Sequence, residues 1–354
     1  NEESCVYHHN NEYNNNTDDI QDITSRYVAS AAFVNFLKSC DDPRLPVLVR
    51  RNGFGPGNNN TQNDEWFETF KKEYPDYETR WPQFVGRYVG MSANPDSAAT
   101  TFNRNAYLTL PYHKEDGTEA NLDIRMHSQI ESRFYIKNGG TIGNNNMPAR
   151  AIEGEEYYIN QEKMHTFTPL ITYPETCQML AEIAVKKGGS VAGKDAKGWF
   201  REGVKASMEQ YRDWATNMFV VAQTAETAPN YSPITDAKIN EYLARPEFSD
   251  ITLEKIISQQ WVNLYMNPEE MWATWKRTGL PAFKAKPEPE GGVAFLEEIK
   301  DAKNVLTIPR RNSLGTPNTL NIANYNTAID ALKKDAKYGS DNDRTEGRIW
   351  WDVE

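Results

Sequence analysis

Apolar residues recur at helical spacing across Thr252–Phe283, TLEKIISQQWVNLYMNPEEMWATWKRTGLPAF, the longest stretch in which every local signal agrees. Leu253, Ile256, Ile257, Gln260, Trp261, Leu264 and Tyr265 share one wide face of a first helix. A second helix follows at once. Asn267 suits its N-cap, Pro268 its first turn, Glu269 and Glu270 complement the dipole there, and Lys276 and Arg277 occupy the last turn before Gly279 and Pro281 stop it. So short a turn predicts an antiparallel hairpin, with Trp261, Trp272 and Trp275 in the core between its helices.

A second hairpin is expected over Thr172–Val221. Thr172 and Glu175 form a capping box with Pro174 in the first turn, and Cys177, Leu180, Ala181 and Ala184 give a small-residue stripe that ends at Gly188–Gly189. Asp195 opens the partner helix, whose face carries Phe200, Val204, Ser207 or Met208, Tyr211, Ala215 and Met218, flanked by Trp199 and Trp214. A short helix at Ile239–Leu243 separates the two hairpins. Small-residue helices paired with aromatic-rich ones are packed in the tetratricopeptide style, although two pairs define no strict repeat. An earlier helix is predicted over Ser25–Ser39; Asp41, Asp42 and Pro43 end it, and DPRLPVLVR reads as extended.

The first half is otherwise built from loops. NGFGPGNNNTQ at 52–62 leads into a dense aromatic patch of Trp66, Phe67, Phe70, Tyr74, Tyr77, Trp81 and Phe84. Pro75 and Pro82 bracket Tyr77 and Trp81, which takes these two off any continuous helix face and leaves them as exposed aromatics. Between Met91 and Thr168 only short alternating runs appear, at Ala106–Pro111 and Ser132–Ile136, interrupted by NGGTIGNNNMPAR. Its GGTIG lacks the strand, helix and Lys-Ser/Thr pair of a phosphate cradle. After Phe283, KAKPEPEGG reads as a linker and VLTIPRRNSLGTPNTLN as a surface strap, followed by a helix at Ile322–Lys333 and an apolar GRIWWDVE end that should dock. The expected class is mainly α, with tetratricopeptide-like hairpins and a loop-rich excursion holding short β segments. The expected division is a loop-rich ligand-facing region over 1–170, a helical scaffold over 171–283 and a docked strap over 284–354.

Composition then narrows the chemistry. A net charge of -11 with no basic stripe argues against nucleic acid. No run of about 18 apolar residues is present to span a membrane, and the polar Asn1–Ser4 gives Cys5 no apolar approach for lipidation or cleavage. Three cysteines and five histidines show neither a disulfide framework nor metal-ligand spacing, although a Cys5–Cys40 bridge stays open. No cofactor is expected, and the Asn and Asp loops leave room for a structural calcium ion. The aromatic content is 12% against a mean hydropathy of -0.75, and Asn runs at 14–16, 58–60 and 144–146 supply much of the polarity. Aromatic faces beside amides suit a sugar ring or an extended peptide, since rings stack on C–H surfaces while amides donate and accept. The candidate stacking residues are Trp66, Tyr77 and Trp81, with Tyr107, Tyr112, Asn144, Asn145 and Arg150 as hydrogen-bonding neighbours. A glycoside hydrolase would need a spaced carboxylate pair, and Asp18–Asp19, Glu155–Glu156 and Glu297–Glu298 are adjacent pairs that diverge. A Gly-x-Ser-x-Gly elbow, an HExxH and a catalytic Cys-His context are all missing.

Several motifs together resemble the SusD/RagB-like outer-membrane nutrient-binding lipoproteins of Bacteroidetes, in particular the SusD-like 2 branch. They are SCDDPRLPVLV, ITYPETCQMLAEIAVKKG with GWFREGVKASMEQY, EKIISQQWVNLYMNPEEMWATWKRTGLPAF, LTIPRR with NYNTAI, and RIWWD. The resemblance spans most of residues 25–354 and roughly the C-terminal two-thirds of the family pattern. It implies a helical, tetratricopeptide-like protein that binds oligosaccharide or peptide without catalysis. It further implies a lipid anchor, outside this chain, on the outer face of the outer membrane, and delivery of ligand to a SusC-like TonB-dependent barrel. The family's N-terminal helical region is absent here, which makes a separate N-terminal fragment a candidate partner. Ligand-contacting loops vary within the family, so the motifs carry over no binding residue.

Overall fold

The computed structural model describes residues 5–8, 28–49, 52, 70–82, 87–93, 107–125, 127–128, 130, 167–217, 234–299, 307–312, 314–315, 317–339 and 345–348. In chain order the first half contains β1 (Cys5–His8), α1 (Ala31–Ser39), α2 (Leu45–Leu48), α3 (Tyr77–Arg80), β2 (Tyr107–His113), β3 (Glu119–Arg125) and β4 (Phe167–Ile171). The second contains α4 (Tyr173–Lys187), α5 (Ala196–Asn217), α6 (Asp236–Leu243), α7 (Leu253–Asn263), α8 (Pro268–Thr278), β5 (Ala282–Lys284), β6 (Phe295–Glu297) and α9 (Ile322–Leu332). The fold is mainly α and tetratricopeptide-like. Among the described residues strands pair in twos: β1 with β4 and β2 with β3, both antiparallel, and β5 with β6 in parallel.

α4 begins as its capping box requires: the Thr172 hydroxyl accepts from the Glu175 amide, and the Glu175 carboxylate accepts from the Thr172 amide, each at 3.4 Å. Gly188, at φ 72°, ends it. α5 starts with the Asp195 carboxylate accepting from Gly198 N at 2.7 Å. The two helices pack closely because α5 carries Gly203 at their contact. A Cβ there would lie 3.1 Å from Cys177 Cβ and Gln178 Cγ and 3.2 Å from the Pro174 carbonyl oxygen.

One core joins early and late segments. Phe33, Val34, Phe36 and Leu37 of α1 and Val47 to Val49 meet Phe200, Val204, Met208 and Tyr211 of α5, Ile239 and Tyr242 of α6, and Ile256 and Val262 of α7. Trp261 meets Phe33 edge-on at 5.2 Å. α7 is more central than an amphipathic face implies, since Ser258, Gln259, Gln260 and Asn263 are buried beside its apolar residues. Buried polar groups need partners, and the fully buried Arg44 supplies one. Its guanidinium pairs with Asp42 (Nη2–Oδ2 2.7 Å, Nε–Oδ1 2.9 Å) and donates to Ser207 Oγ of α5 at 2.8 Å and Gln259 Oε1 of α7 at 2.6 Å. The Gln259 amide continues to the Tyr242 hydroxyl of α6 at 2.8 Å.

The structure corrects several expectations. α1 starts at Ala31, capped by Ser30, and not at Ser25. Leu45–Leu48, read as extended, closes a helical turn around Pro46 before Val49 bridges Ile130. Asn267 sits at the N-cap of α8, but its side chain donates to the Pro169 carbonyl at 3.3 Å and makes no cap. α7 and α8 share a small cluster of Ile257, Leu264 and Met271, with Trp261 and Trp275 against it, while the larger contact of α7 is with α4. Trp272 lies outside that cluster and is 50% exposed, because successive residues turn by about 100° and Met271 takes the inward position. KAKPEPEGG closes the β5–β6 loop, where Ala294 N donates to Ser258 Oγ at 2.8 Å. Cys40 is a free thiol, so no Cys5–Cys40 bridge forms. The expected docking of Ile349–Trp351 lies outside the described residues.

Two measurements test this packing. Arg44→Met should cost about 3–5 kcal/mol in denaturant unfolding, because Asp42 is left buried without its partner, and Asp42→Asn in the same chain should recover part of it; a loss below about 1 kcal/mol would make the network dispensable. The second concerns Glu182 of α4, which pairs with Lys186 at 2.6 Å and with Arg277 of α8. Burial works to raise its pKa, but the bonds from Arg277 and Lys186 prevail and hold the carboxyl below its ordinary value. A folded-state pKa below the unfolded one stabilises above about pH 4.3 and is lost as pH falls through and below that value. Arg277→Ala should therefore lower the unfolding free energy more at pH 7 than at pH 4, by about 1 kcal/mol at most for so exposed an arginine; equal losses at both pH values in denaturant unfolding exclude an electrostatic contribution.

Candidate functional site

Pro75 and Asp76 interrupt the helical turn at 70–73, so the chain restarts as α3 and gathers the aromatics of this stretch around Phe70, which is fully buried. Tyr74 stacks on Phe70 at 4.8 Å, Tyr77 meets Phe70 edge-on at 6.1 Å, and Trp81 meets Tyr74 edge-on at 5.4 Å. Tyr77 and Trp81, expected as exposed aromatics, are thus half-buried. The guanidinium of Arg80 lies 4.7 Å from the Trp81 ring centre. This cluster is fastened to the hairpin edge: the Tyr74 hydroxyl donates to the Pro111 carbonyl at 2.7 Å, and Glu73 accepts from His113 N at 2.7 Å. Tyr112, between those two residues, is half-buried.

Of the candidate ligand residues, the structure therefore brings Tyr77, Trp81 and the strand bearing Tyr112 together. Tyr107 begins that strand, its Cα paired with Arg125. Trp66, Asn144, Asn145 and Arg150 lie outside the described residues. A ligand ring stacking on the Trp81 face held by Arg80 must displace a cation–π contact worth about 0.5–1 kcal/mol at an exposed site. The side chain of Arg80 is exposed and can swing to offer its donors instead. Among the described residues no group of three His, Cys, Asp or Glu side chains could hold a metal ion. Glu297, from the carboxylate pairs, accepts from Ser92 Oγ at 2.6 Å and Ala93 N at 2.9 Å and so ties β6 to that segment.

A cleft of about 470 Å³ was not legible in the sequence. It opens at the end of α1, over Leu37, Leu45 and Tyr242, with Lys38, Asp41, Lys238, Glu241 and Arg245 at its rim. Arg245 is already engaged by Asp41 at 2.7 Å and Glu247 at 2.8 Å. The thiol of Cys40 lines the cleft, and burial pushes its pKa up to about 11. The only available signal was Asp41–Asp42, which spacing identified as a helix stop.

A family profile described as "Starch-binding associating with outer membrane" matches residues 135–313. No curated protein matches the sequence. Among solved structures, a SusD homologue from Bacteroides fragilis NCTC 9343 is 16% identical, with a TM-score of 0.51 over 92% of this chain and 52% of its own. Another from the same organism is 17% identical, with a TM-score of 0.44 over 91% and 50%. A chitin-binding SusD homologue from Flavobacterium johnsoniae is 21% identical, with a TM-score of 0.30 over 53% and 37%. The first shows the fold alone, and the chain spans about half the length of that structure.

The raised Cys40 pKa gives a direct check, since only the thiolate reacts with alkylating reagents. Iodoacetamide at pH 8 followed by peptide mass mapping should leave Cys40 unlabelled in the native protein and label it after unfolding. Labelling of Cys40 in the native protein at the rate of an open thiol would contradict its placement.

Proposed function

The chain belongs to the SusD-like 2 family, and we propose that it is a non-catalytic binding protein of the outer membrane that captures oligosaccharide. In this reading it sits lipid-anchored on the extracellular face and passes its ligand to a TonB-dependent, SusC-like barrel. The family description associates such proteins with the outer membrane, and among the described residues no helix is long and apolar enough to cross a membrane. The observation that carries the binding role is the aromatic cluster of Tyr74, Tyr77 and Trp81 with Arg80, clamped to the strand bearing Tyr112. Trp66, Tyr107, Asn144, Asn145 and Arg150 complete the proposed surface. Rings of this size present apolar faces to the C–H side of a sugar, while arginine and amides reach its hydroxyls. The binding needs no cofactor.

Each aromatic contact contributes about 1 kcal/mol beyond area burial, so affinity accumulates over several contacts. Calorimetry against a panel of glycans and peptides should find a glycan ligand, and Trp81→Ala should weaken it about fivefold. Unchanged binding in the variant removes Trp81 from the site. Peptides binding in place of glycans would reassign the ligand class, and release of new reducing ends from a bound polymer would make the protein an enzyme.

A further inference from the structure

We propose that the outer flank of α8 is a second saccharide-stacking station, formed by Trp272 with Glu269 and Lys276 and separate from the loop aromatics. The proposal rests on the saccharide reading above. Trp272 is half exposed, and no hydrogen bond among the described residues occupies its indole N–H. Its footing is rigid: the ring centre lies 5.2 Å from that of Trp275. Trp275 is in turn pinned by its indole N–H to the Pro281 carbonyl at 3.2 Å and by an edge contact with Phe283 at 5.6 Å.

Helical geometry supplies the polar groups. At about 100° per residue, Lys276 lies about 40° and Glu269 about 60° round the helix from Trp272, all on one flank. Arg277 points to the opposite flank, where it engages Glu182 of α4. Neither the Glu269 carboxylate nor the Lys276 ammonium has a partner among the described residues. An open indole face with a free N–H, an acceptor and a donor beside it is what a pyranose ring with outward hydroxyls requires. A protein partner fits less well. The other exposed residues of α8 are Pro268, Glu270, Ala273 and Arg277, of which only the small Pro268 and Ala273 are apolar, so α8 offers no second large apolar side chain to form the dry centre of an interface.

Two separated stations on one molecule act mainly on long chains, because a second contact becomes intramolecular once the first is made. Affinity electrophoresis in gels containing soluble starch, barley β-glucan or yeast mannan tests this. Wild-type, Trp81→Ala, Trp272→Ala, Trp272→Phe and double-alanine proteins are compared, each first shown to be folded by its melting curve. Trp272→Ala should weaken retardation about fivefold, Trp272→Phe should restore most of it, and the double variant should lose more than either single one. The Trp272 indole N–H resonance, identified by its absence in Trp272→Phe, should shift on titration with an oligosaccharide of the retarding polymer. If Trp81→Ala weakens retardation while Trp272→Ala does not, and the resonance stays fixed, the station is overturned and the binding function stands. If none of the three polymers retards the wild type or moves the resonance, the station is overturned, and the calorimetric panel judges the binding function by itself.

Discussion

The guanidinium of Arg44 is the group around which the described core closes. It has no exposure, and burial opposes its charge, yet Asp42 beside it raises its pKa above the ordinary value. Asp42 also accepts from the Arg44 amide at 2.9 Å, so one carboxylate fixes both the backbone turn after α1 and the side chain that leaves it. From there the donors reach α5 through Ser207 and α7 through Gln259, whose amide engages α6 through Tyr242. A hydrophobic contact tolerates sliding, whereas a planar fork of donors does not. Four segments distant in sequence therefore meet in one relative arrangement. Among the described residues Asp42 has no other ion-pair partner, so the arrangement cannot lose the arginine cheaply.

That fixed body positions the described segments of the first half by backbone pairing. Ser30 bridges Met91 at the start of α1, Val49 bridges Ile130 after α2, and Asn52 exchanges bonds with Arg87 through its amide N–H and its side-chain oxygen, both at 2.8 Å. Gly90 passes so close to α1 that a Cβ there would fall 2.4 Å from Ala31 Cα, which only glycine permits. The aromatic cluster of Phe70 to Trp81 has its own footing on the edge of β2, through Tyr74 and Glu73. Scaffold and proposed binding surface thus use different chemistry: a buried side-chain network holds the helices, and backbone bridges with single side-chain-to-main-chain bonds hold the segments laid over them.

Signals that act within one turn of helix were legible from the sequence. The Thr172–Glu175 box, Asp195 before α5, and Gly279 in the left-handed region after α8 each involve residues no more than four apart. Features that depend on a distant partner were not. Asn267 has the composition of a cap, but the Pro169 carbonyl, 98 positions earlier, takes its amide. Asp42 read as part of a helix stop and Arg44 as part of an extended run, because Ser207 and Gln259 lie 163 and 215 positions from Arg44. Trp272 was counted with Trp261 and Trp275 because spacing identifies a shared helix side but not how much of it a neighbour covers; α7 faces α4 more than α8, and the flank at Trp272 stays open. For the proposed binding surface, composition indicated the aromatic stretch, while the mutual edge-on packing of its rings and their clamp on β2 depend on contacts that no local pattern encodes.

The contrast between buried and exposed polar groups bears on how such a protein holds a ligand. In the scaffold, Arg44, Gln259, Ser258 and Glu182 are consumed by internal partners, so they have little to offer a ligand without loss of stability. At the surface, polar groups beside aromatics exchange water for ligand hydroxyls with small net gain, and each ring adds about 1 kcal/mol. Tight binding from one such station is excluded by that arithmetic; it requires several stations or one long ligand. Weak stations also release quickly, since affinity differences among related contacts lie mostly in the off-rate. A protein proposed to give up its cargo to a transporter gains from both properties: a polymer is retained by many contacts, and each segment of it is free to leave.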